Sequence, residues 1–155
     1  MNWFVGYFEI VSLRPKLEEG GENVIVEDAF AKPLAYFSNK YPEILIEAFP
    51  DSVVIAAKES DVETLLKGIR SLYTSWSTDY ILAHGGLCYG MLQQISDPFK
   101  KDLHRHLNKV LMHRIIGPAL QLAFQTALNG SPGMLCELHQ TAVRRIREID
   151  PSVIY

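Results

Sequence analysis

The first apolar run, Trp3 to Leu13 (WFVGYFEIVSL), places hydrophobic side chains on both alternating faces and a single charge at Glu9. A strand apolar on both faces is covered on both sides, so a central strand is predicted here. Arg14 to Asn23 is polar and carries Gly20-Gly21, which reads as a loop. From about Val26 to Asn39 the pattern suits a helix with Pro33 as its weak point. Two short β-rich runs follow, Glu43 to Phe49 (EILIEAF) and Ser52 to Ala57 (SVVIAA), parted by Pro50-Asp51. Proline presets φ and aspartate bonds back to its own chain, so these runs form a hairpin with Asp51 at its tip.

Ser60-Asp61-Val62-Glu63 has the form of a capping box. Val62, Leu65, Leu66, Ile69, Leu72, Tyr73 and Trp76 then repeat at helical spacing, with Leu72, Tyr73 and Trp76 read as core or dimer surface. Tyr80 to Ile95 reads as strand, Gly85-Gly86, strand, the glycines permitting a bend or a close backbone approach. The charged stretch Ser96 to Met112 suits loop and short helix. After Gly117-Pro118 a helix runs to about Leu128, with Gly130 as its stop. Met134 to His139 is a last strand and Gln140 to Ile149 a terminal helix. The order predicts an α+β fold on a split βαβ plan: an antiparallel sheet with helices mainly on one face, residues 1–155 forming one domain.

The 155 residues, 48% hydrophobic, are enough to bury a core without disulfides or structural metal. Eighteen acidic against fifteen basic residues, with no long block of one sign, argue against nucleic acid as a partner. Cys88 and Cys136 lack C-x-x-C spacing, and the chain start lacks a leader pattern, so buried reduced thiols and a cytoplasmic location are expected. Ile115 to Cys136 is uncharged and long enough for a membrane span. Pro118, Gln121, Gln125, Asn129 and Gly-Ser-Pro-Gly interrupt it, and no span is expected.

Two carboxylates carry the candidate chemistry. Glu9 lies in an apolar strand, where burial penalises its charge unless a cation or donor compensates. If the hairpin lies antiparallel beside the first strand, Glu9 and Asp51 reach one end of the sheet and can hold Mg2+ or Mn2+ with triphosphate oxygens. The bland alternative is that Asp51 only closes its turn and Glu9 meets an arginine such as Arg14.

YFEIVSL, FPDSVVIAA, AHGGLCYG and IIGPALQLAF, in that order, resemble the catalytic domain of class III nucleotidyl cyclases, especially compact stand-alone bacterial forms. The resemblance runs from about Phe4 to His139. It implies a ferredoxin-like palm, a head-to-tail homodimer with sites in the shared cleft, and conversion of a nucleoside triphosphate to a 3′,5′-cyclic nucleotide and pyrophosphate. Glu9 falls where such domains have their first metal-binding aspartate and Asp51 where they have the second. Phe8 and Ile10 flank the first, where backbone groups meet metal and phosphate. Gln121 and Gln125 stand where an asparagine and an arginine orient ribose and stabilise the transition state. Glutamine brings no positive charge, so Arg114, Lys109 or Arg105 are the candidate replacements, and a catalytically degenerate binding or dimerisation module is the alternative.

The purine-reading lysine and its polar partner are also missing, the nearest positions being Glu47 or Ala48 and Arg114 or Ile115. In this the chain is similar to the pyrimidine cyclases of Pycsar antiphage signalling. That likeness implies cyclic UMP or cyclic CMP as product, read by a separate effector protein. Tyr7, Phe49 and Arg114 are then the candidates for the base pocket. His84 replaces the arginine usual before the paired glycines and reads as a core or interface histidine. His104, His106 and His113 beside Asp102 suggest zinc only weakly and read as a solvated face, as do Arg144, Arg145, Arg147 and Glu148, the latter group alternatively as a docking surface.

Overall fold

The computed structural model of the chain describes residues 1–11, 26–49, 51–79, 81–94, 115–131, 133 and 135–152. Strand β1 (Asn2–Ile10) comes first. A π-helical segment (Val26–Ala31), helix α1 (Lys32–Lys40) and the hairpin β2 (Leu45–Ala48) and β3 (Ser52–Ala57) follow. Next come a 3-10 turn (Glu59–Asp61), α2 (Val62–Thr78) and β4 (Ala83–Met91). The chain closes with the short strands β5 (Gln93–Gln94) and β6 (Ile115–Ile116), α3 (Pro118–Leu128), β7 (Cys136–Leu138) and α4 (Gln140–Ile149).

The main sheet has the order β2-β3-β1-β4-β7, and β5 pairs with β6 apart from it. β1 runs antiparallel to β3 and to β4, and β3 antiparallel to β2. β3 therefore sits between β1 and β2, the split βαβ plan that the element order predicts. β7 departs from the antiparallel scheme, joining the edge parallel to β4.

Alternation along β1 sends its side chains into two cores. Phe4, Phe8 and Ile10 pack with Leu34, Phe37, Leu65, Trp76 and Ile146, beneath α1, α2 and α4. Trp3 and Val5 pack with Val54, Ala56, Cys88, Ala119 and Ala123, beneath α3. Three described helices thus cover one face and one covers the other, which is why β1 is apolar on both sides. Leu72 and Trp76 are buried, and Trp76 Nε1 donates to the Phe30 carbonyl at 3.5 Å.

α3 approaches the sheet closely because both surfaces are small. Ala119, Ala123 and Ala127 are its buried residues. A Cβ on Gly86 would lie 2.5 Å from the Ala123 carbonyl oxygen and 2.6 Å from the Ala127 nitrogen. A Cβ on Gly85 would meet the Phe8 ring at 2.3 Å on the other face. The glycine pair serves close approach and not a bend, so β4 runs unbroken through Gly85-Gly86, where the sequence suggested a strand on either side of the pair.

Other expectations need correction. The capping box does not form: Ser60 lies inside the 3-10 turn, α2 begins at Val62, and Asp61 before it makes no side-chain cap bond. The helix expected from Val26 to Asn39 forms in two joined pieces, π-helical to Ala31 and α-helical from Lys32 to Lys40, and Pro33 sits at the change, the weak point the sequence marks. β1 ends at Ile10, three residues short of Leu13, although Val11 still donates to the Leu82 carbonyl at 2.8 Å. Arg144, Arg147 and Glu148 form the expected exposed face, while Arg145 is only partly exposed. It bonds both Glu59 and Glu148, and the Tyr89 hydroxyl donates to Glu59 at 2.7 Å, tying α4 to the turn before α2. The 14–23 loop and the 96–112 segment lie outside the described residues.

Cys88 and Cys136 are unpaired, and burial pushes both thiols up to about 12. No described helix is long and apolar enough to cross a membrane. Because the atoms facing Gly86 are backbone and cannot rotate away, Gly86→Ala is expected to cost about 1–3 kcal/mol of stability. Urea unfolding followed by circular dichroism measures it; an unchanged midpoint would show that α3 is free to move off the sheet.

Candidate functional site

The candidate site forms where the end of β1 meets the start of β3. Glu9 is paired across the sheet with Ser52 on one side and His84 on the other. Alternation puts Glu9 and Tyr7 on the α3 face with Trp3 and Val5, and puts Ser52 there with Val54 and Ala56. The Ile10 amide donates to the Asp51 carbonyl at 2.8 Å, pinning the hairpin tip to the strand end. The Phe49 amide closes the turn by donating to the Ser52 carbonyl at 2.8 Å.

Ser52 is the buried polar side chain of this corner, and its hydroxyl donates to Asp51 Oδ1 at 3.2 Å. The Tyr7 phenol lies under the influence of the same hydroxyl and of the charges of Glu9 and Asp51. Burial first, then the two carboxylates, raise the Tyr7 pKa above its ordinary 10.0, while the Ser52 bond opposes them. Tyr7 thus feels Glu9, Asp51 and Ser52 together, at the end of the sheet where the hairpin tip meets β1.

The near partner of Glu9 is His84, with Nε2 3.6 Å from Glu9 Oε2. That nitrogen is buried and has no hydrogen-bond partner among the described residues. Arg14, the arginine considered for Glu9, lies outside them.

Beside this corner opens a cavity of about 410 Å3, walled by Tyr7, Phe49, Leu120 and Phe124 with Glu47 and Gln121 as its polar residues. Tyr7 and Phe124 meet edge to face at 5.1 Å. Tyr7 therefore belongs to both cavity and carboxylate corner. Of the sequence candidates, Tyr7, Phe49 and Gln121 come together here. Gln125 lies one turn further along α3 and is exposed. The Phe8 and Ile10 side chains point into the opposite core, leaving only their backbone beside the site. Arg114, Arg105, Lys109, His104, His106, His113 and Asp102 lie outside the described residues. Sequence reasoning did not find Ser52 or the Glu9–His84 pairing. Ser52 was signalled by following Asp51 in phase with Val54, whereas the pairing depends on register.

The donor set was tested against a divalent cation. Among the described residues no cluster of three or more His, Cys, Asp or Glu is arranged to hold an ion alone. Glu9 and Asp51 fit the role only together with oxygens from a bound phosphate; His84 Nε2 is a further donor beside Glu9, but the three do not form one cluster.

The fold is similar to that of solved adenylyl and guanylate cyclase domains. A bacterial light-regulated adenylyl cyclase superposes with a TM-score of 0.66 at 9% identity, over 99% of this chain and 81% of that one. The guanylate cyclase domain of RhGC from Catenaria anguillulae, solved in complex with GTP, gives 0.65 at 8% identity over 94% and 82%. The adenylyl cyclase CyaB from P. aeruginosa gives 0.59 at 14% identity over 96% and 81%. No family model and no curated protein matches the sequence. At these identities the likeness is one of fold.

The Tyr7 environment has a measurable consequence. Its raised pKa means that the folded state holds the phenolic proton more tightly, so stability falls as pH climbs from 10.0 toward the raised value and is unaffected below. Ser52→Ala removes the opposing bond and is expected to move the Tyr7 titration higher still, while Glu9→Gln moves it lower. NMR of ring-labelled tyrosine, assigned with Tyr7→Phe, reads both shifts; a Tyr7 signal insensitive to both changes would dissolve the shared corner.

Proposed function

We propose that this protein is a metal-dependent nucleotidyl cyclase that acts as a homodimer on pyrimidine triphosphates. The observation that carries the reading is the sharing of Tyr7 between an apolar cavity of base-plus-sugar size and a corner holding Glu9 and Asp51. In this reading the base stacks among Tyr7, Phe49 and Phe124, with Glu47 and Gln121 as its polar contacts. Glu9 and Asp51 receive the triphosphate end through Mg2+ or Mn2+, which supplies charge neutralisation and lowers the pKa of the attacking hydroxyl. The ribose 3′-oxygen attacks the α-phosphorus and loses its proton, the bond to the bridging oxygen breaks, and pyrophosphate leaves. Gln121 and Gln125 donate neutral hydrogen bonds to ribose and phosphate, and Arg114 supplies the cation that α3 lacks. The cyclic UMP or CMP formed acts as an antiphage signal read by a separate effector in the cytoplasm.

The absence of charge on α3 favours a second reading, a cyclase-fold module that binds a nucleotide without turnover. Purified protein with Mn2+ and each of the four triphosphates separates the two. The enzyme reading expects cyclic product from UTP or CTP above ATP and GTP, and a loss of at least 100-fold in Glu9→Ala and in Asp51→Ala. A purine preference overturns the pyrimidine assignment; no product from any of the four leaves the binding module.

A homodimer accounts for the outer surface of α3. This helix (PALQLAFQTAL) carries no charge, and Phe124 and Leu128 are exposed with Ile116 nearby in sequence. Exposed apolar side chains on a surface helix, here beside the exposed Gln121 and Gln125, form a patch of the kind a partner covers. Leu128→Glu, remote from the cavity lining, is expected to shift the chain toward monomer in sedimentation velocity; an unchanged dimer would place the interface elsewhere.

A further inference from the structure

We propose that His84 is a nitrogen ligand of the metal ion, joining Glu9, and that this pair makes the site select transition-metal ions such as Mn2+ over Mg2+. The inference rests on the cyclase reading for its phosphate ligand, but its own grounds are local. His84 and Glu9 are directly opposed in the β1–β4 ladder, so backbone register and not chance side-chain reach brings them together. The distance from Nε2 to Oε2 is 3.6 Å, beyond a hydrogen bond. Metal bonds of about 2.1 Å allow two donors that far apart to share one ion.

The Nε2 atom has no other polar partner among the described residues. It is buried without a hydrogen bond there, an arrangement proteins rarely keep without a reason. His84 lies on the Glu9 and Tyr7 face of the sheet, one residue before the glycines that let α3 press down, so its side chain is held at the edge of the site. A carboxylate and an imidazole are a donor pair typical of transition metals, whereas Mg2+ keeps oxygen ligands. Glu9 and His84 depart together from the aspartate and arginine that the family resemblance places at these positions. With arginine at 84 the carboxylate would have a permanent cation beside it; with histidine it has a second ligand. Asp51 forms no three-donor cluster with this pair, so the remaining coordination sites of the ion held by Glu9 and His84 are left to phosphate oxygens.

Mn2+ bound in the presence of inorganic tripolyphosphate, which offers oxygens but no nitrogen, provides the test. Pulsed electron paramagnetic resonance of the full chain is expected to show nitrogen coupling to Mn2+, changing in frequency when histidine is labelled with 15N. The coupling should vanish in His84→Gln and in His84→Arg, with Mn2+ affinity falling roughly tenfold or more and Mg2+ affinity changing far less. The 15N-labelled wild type needs no substitution, so the result does not hinge on a variant folding. Mn2+ bound without nitrogen coupling, coupling that survives both substitutions, or no Mn2+ binding overturns the proposal. Turnover of nucleotides without nitrogen coupling would leave the cyclase reading standing and sink this one; nitrogen coupling without turnover of any triphosphate would do the reverse.

Discussion

The register of β1 between β3 and β4 is the constraint from which the site follows. With a side-chain period of two, a slip of one residue would carry Glu9 from the α3 face into the core under α1, α2 and α4. That core is filled by Phe4, Phe8, Leu65, Trp76 and Ile146, where a carboxylate would have no compensating partner. Phe8 locks the register from the other side, its ring lying over Gly85 so closely that no Cβ fits between them. The residues that hold the strand in place and the residue that points into the site are therefore neighbours in sequence with opposite duties.

Small residues govern the second contact on which the site depends. α3 lies on Gly86 and Gly90 through Ala119, Ala123 and Ala127, bringing the Gln121 edge of the helix against Tyr7 and Phe49. Gly117, at φ 149° and with the Met91 carbonyl 2.6 Å from where a Cβ would be, sets the angle at which the helix starts. Neither interaction involves a charged group. The positioning of a polar site is here achieved by steric complementarity, leaving the few polar side chains of the corner unburdened by structural work.

Much of this was legible in the sequence, because its signals are local. The apolar β1, the hairpin with Asp51 at its tip, α2, α3 and α4 all follow from spacing, proline and glycine. What escaped was cooperative. Ser60 had the residues of a capping box, yet tertiary pairing of Glu59 with Arg145 and Tyr89 accompanies a 3-10 turn in its place. Gly85-Gly86 was ambiguous between a bend and a close approach until α3 was seen above it. Ser52 could be phased by alternation from Val54, but the meeting of Glu9 with His84, 75 positions away, is a property of strand pairing that no window of sequence contains.

The substitutions at the site are best understood as one change. A carboxylate lengthened by a methylene reaches farther from the strand, and a neighbouring arginine would hold it as an ion pair, competing with any metal for the same oxygens. Histidine removes that competition, since it offers a lone pair where arginine has only donors. α3 carries no charge where Gln121 and Gln125 stand, so in the proposed cyclase charge neutralisation would fall on the metal and on cations from other segments. In the proposed cyclase, a site that relied more on its metal would gain from binding it selectively, and the proposed Glu9–His84 pair, set by the β1–β4 register, would supply that selectivity.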